Sequence, residues 1–274
     1  MLEYIFLYAL GFIAIIFAVI QDLRTREIAN WVTFSLIAFV LAYRAIYSVY
    51  LEDLWFFIYG LIGVLLFVVL GYLFYYSRVF AGGDAKLLFG LGGILPYSSL
   101  ADYIYYGFGF ILALFTFGVL YTLIYSLFLV GKNYKPFKKE FSTLIFRARF
   151  YFILSAALAI AYSFLTSSSF IYITFTFFIA ILPFIFVYVK SIEKTCMIKF
   201  VDAKNVTEGD WLENDVLING RKIKKSFAGL TINEVMLLRK YKKKVWVKSG
   251  IPFAPAFLFA LIAFILFLRY SPWQ

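Results

Sequence analysis

Long apolar runs are the feature that most constrains this chain. Seven runs are long enough to cross the roughly 30 Å of hydrocarbon in a bilayer, and they cover residues 2–20, 31–50, 55–77, 104–131, 150–167, 170–189 and 251–268. An eighth run, 85–101, is shorter and rich in glycine. Because 64% of the 274 residues are hydrophobic and 15% are charged, the chain lacks the polar surface of a soluble domain. We expect an all-α polytopic membrane protein with six to eight transmembrane helices, eight being the best fit.

The distribution of basic residues favours eight crossings. If the N-terminus lies outside and every run crosses, the inner segments are 21–30, 78–86, 132–149 and 190–250, and they hold 24 of the 26 Lys and Arg residues. This is the positive-inside pattern, and it leaves over only Arg44 and Arg269. We therefore expect a multi-pass cell-membrane protein with cytoplasmic basic segments. The net charge of +11 then reflects orientation and attraction to membrane lipid, so no nucleic acid is expected as a partner.

The segment 190–250 is the one sizeable polar stretch. Turn signals such as Asn219-Gly220 divide it into short apolar runs that predict strands. Thr231, followed by Glu234 and an apolar helical pattern, predicts a capped helix. The expected parts are a membrane core (1–131), a basic cytoplasmic loop with an extra pair of transmembrane helices (132–189), a small cytoplasmic α+β insertion (190–250), and a final transmembrane helix with a short tail (251–274). The first run lacks the flanks of a cleaved signal peptide, so we expect it to be a retained span.

Two acidic residues lie at the same predicted depth, at the inner membrane boundary. Asp22 follows the first run, and Asp84 opens the short fourth run behind Gly82 and Gly83. Paired carboxylates on different helices suit aspartic-protease chemistry, in which one acts as base on a water molecule and the protonated partner polarises the scissile carbonyl. The structural alternatives are an N-cap for Asp84 and a solvated interfacial charge for Asp22.

These stretches carry a resemblance to a known family. The sequences QDLRTREIANW (21–31) and GGDAKLLFGLGGILP (82–96) resemble the prepilin peptidases, and they are closest to the archaeal branch that processes preflagellin (archaellin). Family members are GxGD-type intramembrane aspartyl proteases with six expected helices. The C-terminal stretch SGIPFAPAFLFALI is also similar to the last span of archaeal members. Two departures are Ala81 in place of the first motif glycine and Ala29 in place of a common proline.

The resemblance implies roles for several residues. Asp22 and Asp84 would be the catalytic pair, Gly82, Gly83 and Lys86 would form the active-site loop, and Glu27 would contact basic residues of the substrate. The implied activity is removal of short basic leader peptides from type IV pilin-like or archaellin precursors at the cytoplasmic membrane face. Since the paired cysteines of bacterial members are absent, no methyl transfer is expected.

Composition excludes several other kinds of site. The chain has no histidine and a single cysteine, Cys196, so neither Ser-His chemistry, a metal nor a cofactor is expected. Two other functions stay open: a secondary transporter that uses the boundary carboxylates, and a non-catalytic membrane scaffold. The sequence predicts no oligomeric state. The glycines at positions 90, 92 and 93 suggest a flexible fourth span, and hence a pair of aspartates that meets only when substrate binds.

Overall fold

The computed structural model describes residues 2–165, 170–226 and 229–270. Within these ranges the helices are α1 (Leu2–Thr25), α2 (Asn30–Tyr50), α3 (Leu54–Tyr76), α4 (Gly82–Gly92), α5 (Leu100–Asp102), α6 (Gly109–Lys132), α7 (Tyr134–Leu165), α8 (Phe170–Cys196), α9 (Ile232–Lys240) and α10 (Ala254–Tyr270). A π-helical turn, Tyr103–Phe108, joins α5 to α6. The strands are β1 (Ile198–Val201), β2 (Trp211–Leu212), β3 (Val216–Ile218), β4 (Arg221–Ile223) and β5 (Val245–Lys248).

Six helical segments in this part of the chain are long and apolar enough to cross a membrane. They are Glu3–Thr25, Asn30–Tyr50, Leu54–Tyr76, Leu100–Lys132, Tyr134–Ser163 and Thr174–Cys196. A seventh apolar helix, Ala254–Tyr270, is shorter. The predicted class, an all-α polytopic membrane protein with a small strand-containing insertion before the last helix, is confirmed. Residues 166 and 167 of the predicted sixth span (150–167) and residues 271–274 of the predicted tail lie outside the described residues.

The chain divides into two compact units. Residues 1–123 and 252–274 form the first unit, and residues 124–251 form the second. In the first unit, α4 lies at the centre, and its apolar side chains Leu87, Leu88 and Leu91 are fully buried. The surrounding helices expose many large apolar side chains, as helices that face lipid do.

The short fourth run crosses the first unit with only half of its length helical. The helix α4 ends at Gly92, and at 1.5 Å per residue it is about 16 Å long, which is too short to span a bilayer. Asp84 opens this helix near Asp22, at the last turn of α1. Beyond the helix, the Tyr97 carbonyl accepts a hydrogen bond of 3.4 Å from the Tyr4 hydroxyl, at the first turn of α1. The predicted helical span 85–101 is therefore a short helix followed by non-helical backbone.

Arg44 satisfies the carbonyl groups that this non-helical backbone leaves without helical partners. Its guanidinium donates from Nε to the Gly93 oxygen at 2.7 Å and from Nη2 to the Leu95 oxygen at 2.6 Å. A third hydrogen bond, from Nη1, reaches the Phe56 oxygen at 2.8 Å. Gly60 provides the space, because a Cβ there would overlap the Arg44 side chain. Irregular backbone is tolerated at membrane depth only where it is buried and hydrogen-bonded. This explains why Arg44, an exception to the positive-inside pattern, lies within a predicted span.

The glycines of the fourth run make close helix contacts. A Cβ at Gly90 would lie 2.7 Å from Leu36 Cγ, and a Cβ at Gly93 would lie 2.7 Å from Val40 Cγ1. At Gly92 the nearest atoms would be the Gly63 oxygen and Phe67 Cβ, both at 2.5 Å. These glycines let neighbouring helices approach α4, which differs from the flexible span that the sequence suggests.

The second unit contains the helical pair α7 and α8 and the α+β insertion. The basic segment 132–149, expected as a loop, is helical, because α7 begins at Tyr134. Lys and Arg are good helix formers, and Lys194 on α8 pairs with Glu140 on α7 at 2.9 Å. In the insertion, β5 is the central strand of an antiparallel sheet with the order β1-β5-β2, while β3 and β4 form a hairpin. The predicted cap of α9 is confirmed, since the Glu234 carboxylate accepts from the Thr231 N–H at 2.9 Å.

Candidate active site

Asp22 lies in the last turn of α1, with 7% of its surface exposed. Its Oδ2 accepts a hydrogen bond of 2.9 Å from the backbone N–H of Ala254, the first residue of α10. The Phe253 N–H also faces this carboxylate. The first turn of a helix has N–H groups without intrahelical acceptors, and it favours a negative charge. Asp22 is thus held at the positive end of a helix that is remote from it in sequence.

The prolines around this turn reduce the number of competing donors. Pro252 and Pro255 carry no N–H, so between residues 252 and 255 only Phe253 and Ala254 have an N–H to donate. Both of these groups face Asp22. The proline-rich start of α10 therefore presents its donors to one acceptor.

Asp84 lies in the first turn of α4 and is 8% exposed. Its carboxylate faces the backbone N–H of Ala81, the N-cap residue of the same helix. It also lies close enough to Asp22 for the two charges to interact, although no hydrogen bond joins the two carboxylates in the described part of the chain. Two buried carboxylates whose charges interact favour a state in which they hold one proton between them.

The two glycines before Asp84 differ in their surroundings. A Cβ added at Gly83 would lie 3.0 Å from the Cβ of Ile28, in the turn between α1 and α2. A Cβ added at Gly82 would meet only Tyr75, at 3.6 Å. Close packing beside the carboxylates therefore favours a glycine at position 83, whereas position 82 has room for a methyl group.

Lys86 and Glu27 lie at the edge of the site. The Lys86 ammonium donates to the Asn30 Oδ1 at 2.7 Å, which links α4 to the first residue of α2. Glu27 is exposed in the turn between α1 and α2. This turn is fixed by Gln21, whose Oε1 accepts from the Ala29 N–H at 2.9 Å.

The structure thus brings Asp22, Asp84 and Gly83 together, whereas the Lys86 ammonium is bonded to Asn30. The sequence reasoning missed the N–H groups of Phe253 and Ala254, for which the prolines at 252 and 255 were the available signal. Among the residues described, no cluster of three or more His, Cys, Asp or Glu residues has the arrangement of a metal site.

The two carboxylates of this site lie in a region of the chain that is similar to known proteins. Residues 9–131 match the type IV leader peptidase family. Curated relatives include the preflagellin peptidases of Methanococcus maripaludis and Methanocaldococcus jannaschii, each 34% identical over 89 residues, which is 32% of this chain and 38% of each relative. The preflagellin peptidase of Methanococcus voltae is 28% identical over 137 residues, covering 46% of this chain and 57% of the relative.

The chain therefore matches less than two thirds of the length of these relatives. No solved structure matches it. Both Asp22 and Asp84 lie in the matched range, whereas the Ala254 donor lies outside it. The resemblance read from the two motifs is confirmed by this match: residues 9–131 are similar to the type IV leader peptidase family.

Proposed function

We propose that this chain is a membrane aspartic endopeptidase that removes short basic leader peptides from type IV pilin-like or archaellin precursors. The observation that carries the proposal is the pair of buried carboxylates, Asp22 and Asp84, whose charges interact at the adjoining ends of α1 and α4. The names of the preflagellin peptidase relatives support this substrate class.

The unequal surroundings of the two carboxylates suggest how they divide the chemistry. Asp22 faces two N–H groups at the start of α10 and lies near the positive charge of Arg26. Asp84 is buried to a similar extent and faces one N–H group. We therefore assign the negative charge of the resting pair to Asp22 and the shared proton to Asp84.

The reaction follows from this assignment. Asp22 accepts a proton from water, the water oxygen bonds to the scissile carbonyl carbon, and Asp84 donates its proton to the carbonyl oxygen. As the carbon–nitrogen bond breaks, Asp22 passes its proton to the leaving nitrogen, and a hydroxyl of the tetrahedral intermediate returns a proton to Asp84. The pair ends in the state in which it began. The proposed reaction is cleavage alone, without methyl transfer, and it is in keeping with the single cysteine of this sequence.

The proposed orientation places this end of the first unit at the cytoplasmic face of the cell membrane, with the N-terminus outside. The concentration of 24 of the 26 basic residues in the segments 21–30, 78–86, 132–149 and 190–250 supports it. A leader that stays in the cytoplasm would then reach the carboxylates, with exposed Glu27 placed to meet its basic residues. In this proposal, residues 1–131 with the last helix (251–274) perform the chemistry, while 132–189 and 190–250 are accessory.

The test is a cleavage assay on reconstituted protein with a pilin-like precursor that carries a basic leader. Asp22→Asn and Asp84→Asn should each slow cleavage about 10²- to 10⁴-fold, the range expected for loss of a general acid or base. The control is Asp53→Asn. Asp53 caps α3 through the Trp55 N–H at 2.9 Å, and Asn is an equally good cap, so this variant should cut normally.

Two outcomes would contradict the proposal. If either active-site variant cuts at the wild-type rate, that aspartate is an N-cap or an interfacial charge. If folded wild-type protein cuts no such precursor, the transporter and scaffold functions become the leading hypotheses.

A further inference from the structure

The sheet of the insertion has one face in the domain core and one face that the described part of the chain leaves about half exposed. Its inward-facing side chains, Leu212, Val245 and Val247, are buried in the core that α9 completes. On the opposite face lie Phe200, Trp211 and Trp246, which are 54%, 43% and 48% exposed with the whole described chain present. We call these three side chains the aromatic face. Contiguous exposed aromatic surface is uncommon unless it binds something.

The strand register places the three side chains on the same face. Phe200 pairs with Trp246 across β1 and β5, and Trp211 pairs with Lys248 across β2 and β5. Paired residues in antiparallel strands project to the same side, as do residues two apart on one strand. The rings of Phe200 and Trp246 are in contact, with centroids 4.9 Å apart. The aromatic face thus consists of a Phe200–Trp246 ring pair with Trp211 on the same side of the sheet.

The same register shows which way the patch is directed. Lys248 lies on the aromatic face, two residues after Trp246, and its ammonium group contacts the Glu193 carboxylate in the last turns of α8. The β1 strand begins at Ile198, two residues beyond the end of α8 at Cys196. The Ser249 N–H donates to the Met197 oxygen at 2.8 Å and closes the junction. The aromatic face is therefore on the same side of the sheet as the last turns of α8.

The position and composition of α8 indicate which partner the aromatic face meets. Its segment Thr174–Cys196 is long and apolar enough to cross a membrane, so its C-terminal turns lie at a membrane boundary. Trp and Phe side chains are favoured at that boundary, where the apolar ring and the polar surroundings are both accommodated. The stretch 190–250 holds 14 basic residues against seven acidic ones, and this excess complements anionic lipid headgroups.

We infer that the aromatic face docks on the headgroup region of the bilayer that α8 spans, and that it holds the α+β insertion against the membrane surface. The inference concerns the second unit alone and does not depend on the reaction proposed for the first. The occupant is the lipid surface, which follows the aromatic composition, the basic excess and the direct connection to α8. A second copy of this chain and a different protein are the competing occupants that the experiment separates.

The experiment measures the depth of spin labels on the full-length protein in anionic vesicles. The single cysteine, Cys196, is first replaced in a Cys196→Ala background, and a nitroxide is then attached at Phe200→Cys. The matched control is Met236→Cys on α9, a helix that packs on the other side of the sheet and where Met236 is 60% exposed. Collision of each label with dissolved oxygen is compared with its collision with a water-soluble nickel chelate.

The expected result is a several-fold higher oxygen-to-nickel ratio at position 200 than at position 236. A side chain inserted about 5–10 Å into the headgroup and acyl boundary meets oxygen and is shielded from the chelate. Equal, water-like ratios at both positions would overturn the inference. Shielding of position 200 from both reagents would also overturn it, because that result indicates a protein occupant. Trp211→Cys, on the same face, repeats the measurement if Phe200→Cys does not fold.

Discussion

The first unit buries charged side chains at both ends of its central segment, α4 and the non-helical backbone that follows it. The hydrogen bonding of these charged groups differs between the two ends. At one end, Arg44 is fully buried and gives three hydrogen bonds to backbone carbonyls, at 2.6–2.8 Å. At the other end, Asp22 and Asp84 are nearly as buried but accept only backbone N–H groups and lie beside each other. The hydrogen bonds of Arg44 stabilise the fold. The paired carboxylates keep lone pairs that accept no hydrogen bond from the fold, and these are available to a substrate.

The helix α4 connects these two ends. Its C-terminal side continues into the backbone that Arg44 holds, and its N-terminal turn presents Asp84. The carboxylate can therefore remain under-satisfied, because the segment that carries it is fixed elsewhere. We therefore expect changes near Arg44 to lower mainly the stability of the protein, and changes near the carboxylates to lower mainly the rate of cleavage.

The largest effect on stability is expected for Arg44→Leu. This change leaves the carbonyls of Phe56, Gly93 and Leu95 buried without their donor. At about 1 kcal/mol for each of the three lost hydrogen bonds, unfolding should become easier by about 3 kcal/mol. Thermal unfolding in detergent measures the loss. Arg269→Leu is the control, because Arg269 is exposed at the end of α10 and its removal should leave the melting temperature unchanged. A melting temperature unaffected by Arg44→Leu would show that the carbonyls find other partners.

The next effect concerns the donor that holds Asp22. Ala254→Pro removes the N–H that reaches the Asp22 carboxylate, and proline is accepted at a helix start. Since Asp22 works as a base only when ionised, losing a donor to the ionised form should move the acidic limb of the cleavage profile to higher pH. A charge-assisted hydrogen bond of about 1.5 kcal/mol corresponds to about one pH unit.

The matched control for this change is Ala254→Gly, which keeps the N–H group. Cleavage rates across a pH series should show the displaced limb for Ala254→Pro alone, with activity recovered at high pH. An equal loss of rate at every pH would show instead that the start of α10 serves only to pack the site.

A smaller effect distinguishes the two glycines that precede Asp84. Gly83→Ala places a methyl group 3.0 Å from the Ile28 Cβ, so the turn between α1 and α2 has to move by a few tenths of an ångström. We expect kcat/KM to fall a few-fold while the melting temperature changes little. Gly82→Ala adds a methyl group in ordinary van der Waals contact with Tyr75, at 3.6 Å, and should keep full activity, with up to about 1 kcal/mol of added stability.

A compensating change identifies the cause of the Gly83→Ala effect. Ile28→Gly removes the Cβ and Cγ1 that would lie 3.0 and 3.3 Å from the added methyl group, so the double variant should regain much of the lost kcat/KM. If Gly82→Ala and Gly83→Ala behave alike, the contact with Ile28 is not what positions Asp84.

The two ends were not equally predictable from sequence. Asp22 and Asp84 could be proposed from sequence because they lie at the same predicted depth, next to apolar runs, in the two stretches that resemble family motifs. Arg44 was visible only as an exception to the charge pattern, because hydropathy does not reveal which span contains non-helical backbone in need of a donor. The Ala254 N–H was invisible for another reason: every non-proline residue has one, and tertiary structure alone decides which N–H faces Asp22. The helical start of α7 was missed because a run of basic residues also resembles a loop.

The smallest effect tests whether Lys86 belongs with the carboxylates or with the scaffold that holds them. Its ammonium is hydrogen-bonded to Asn30 at 2.7 Å, so its expected role is to tie α4 to α2. Lys86→Met and Asn30→Ala should each lower kcat/KM by a similar factor, corresponding to about 1 kcal/mol or less. The double variant should be no worse than either single variant, because both remove the same bond. The contrary result is a much larger fall in kcat/KM for Lys86→Met than for Asn30→Ala, with the two effects multiplying in the double variant. In that case the Lys86 ammonium acts directly on the carboxylates or the substrate and is a third charged group of the site.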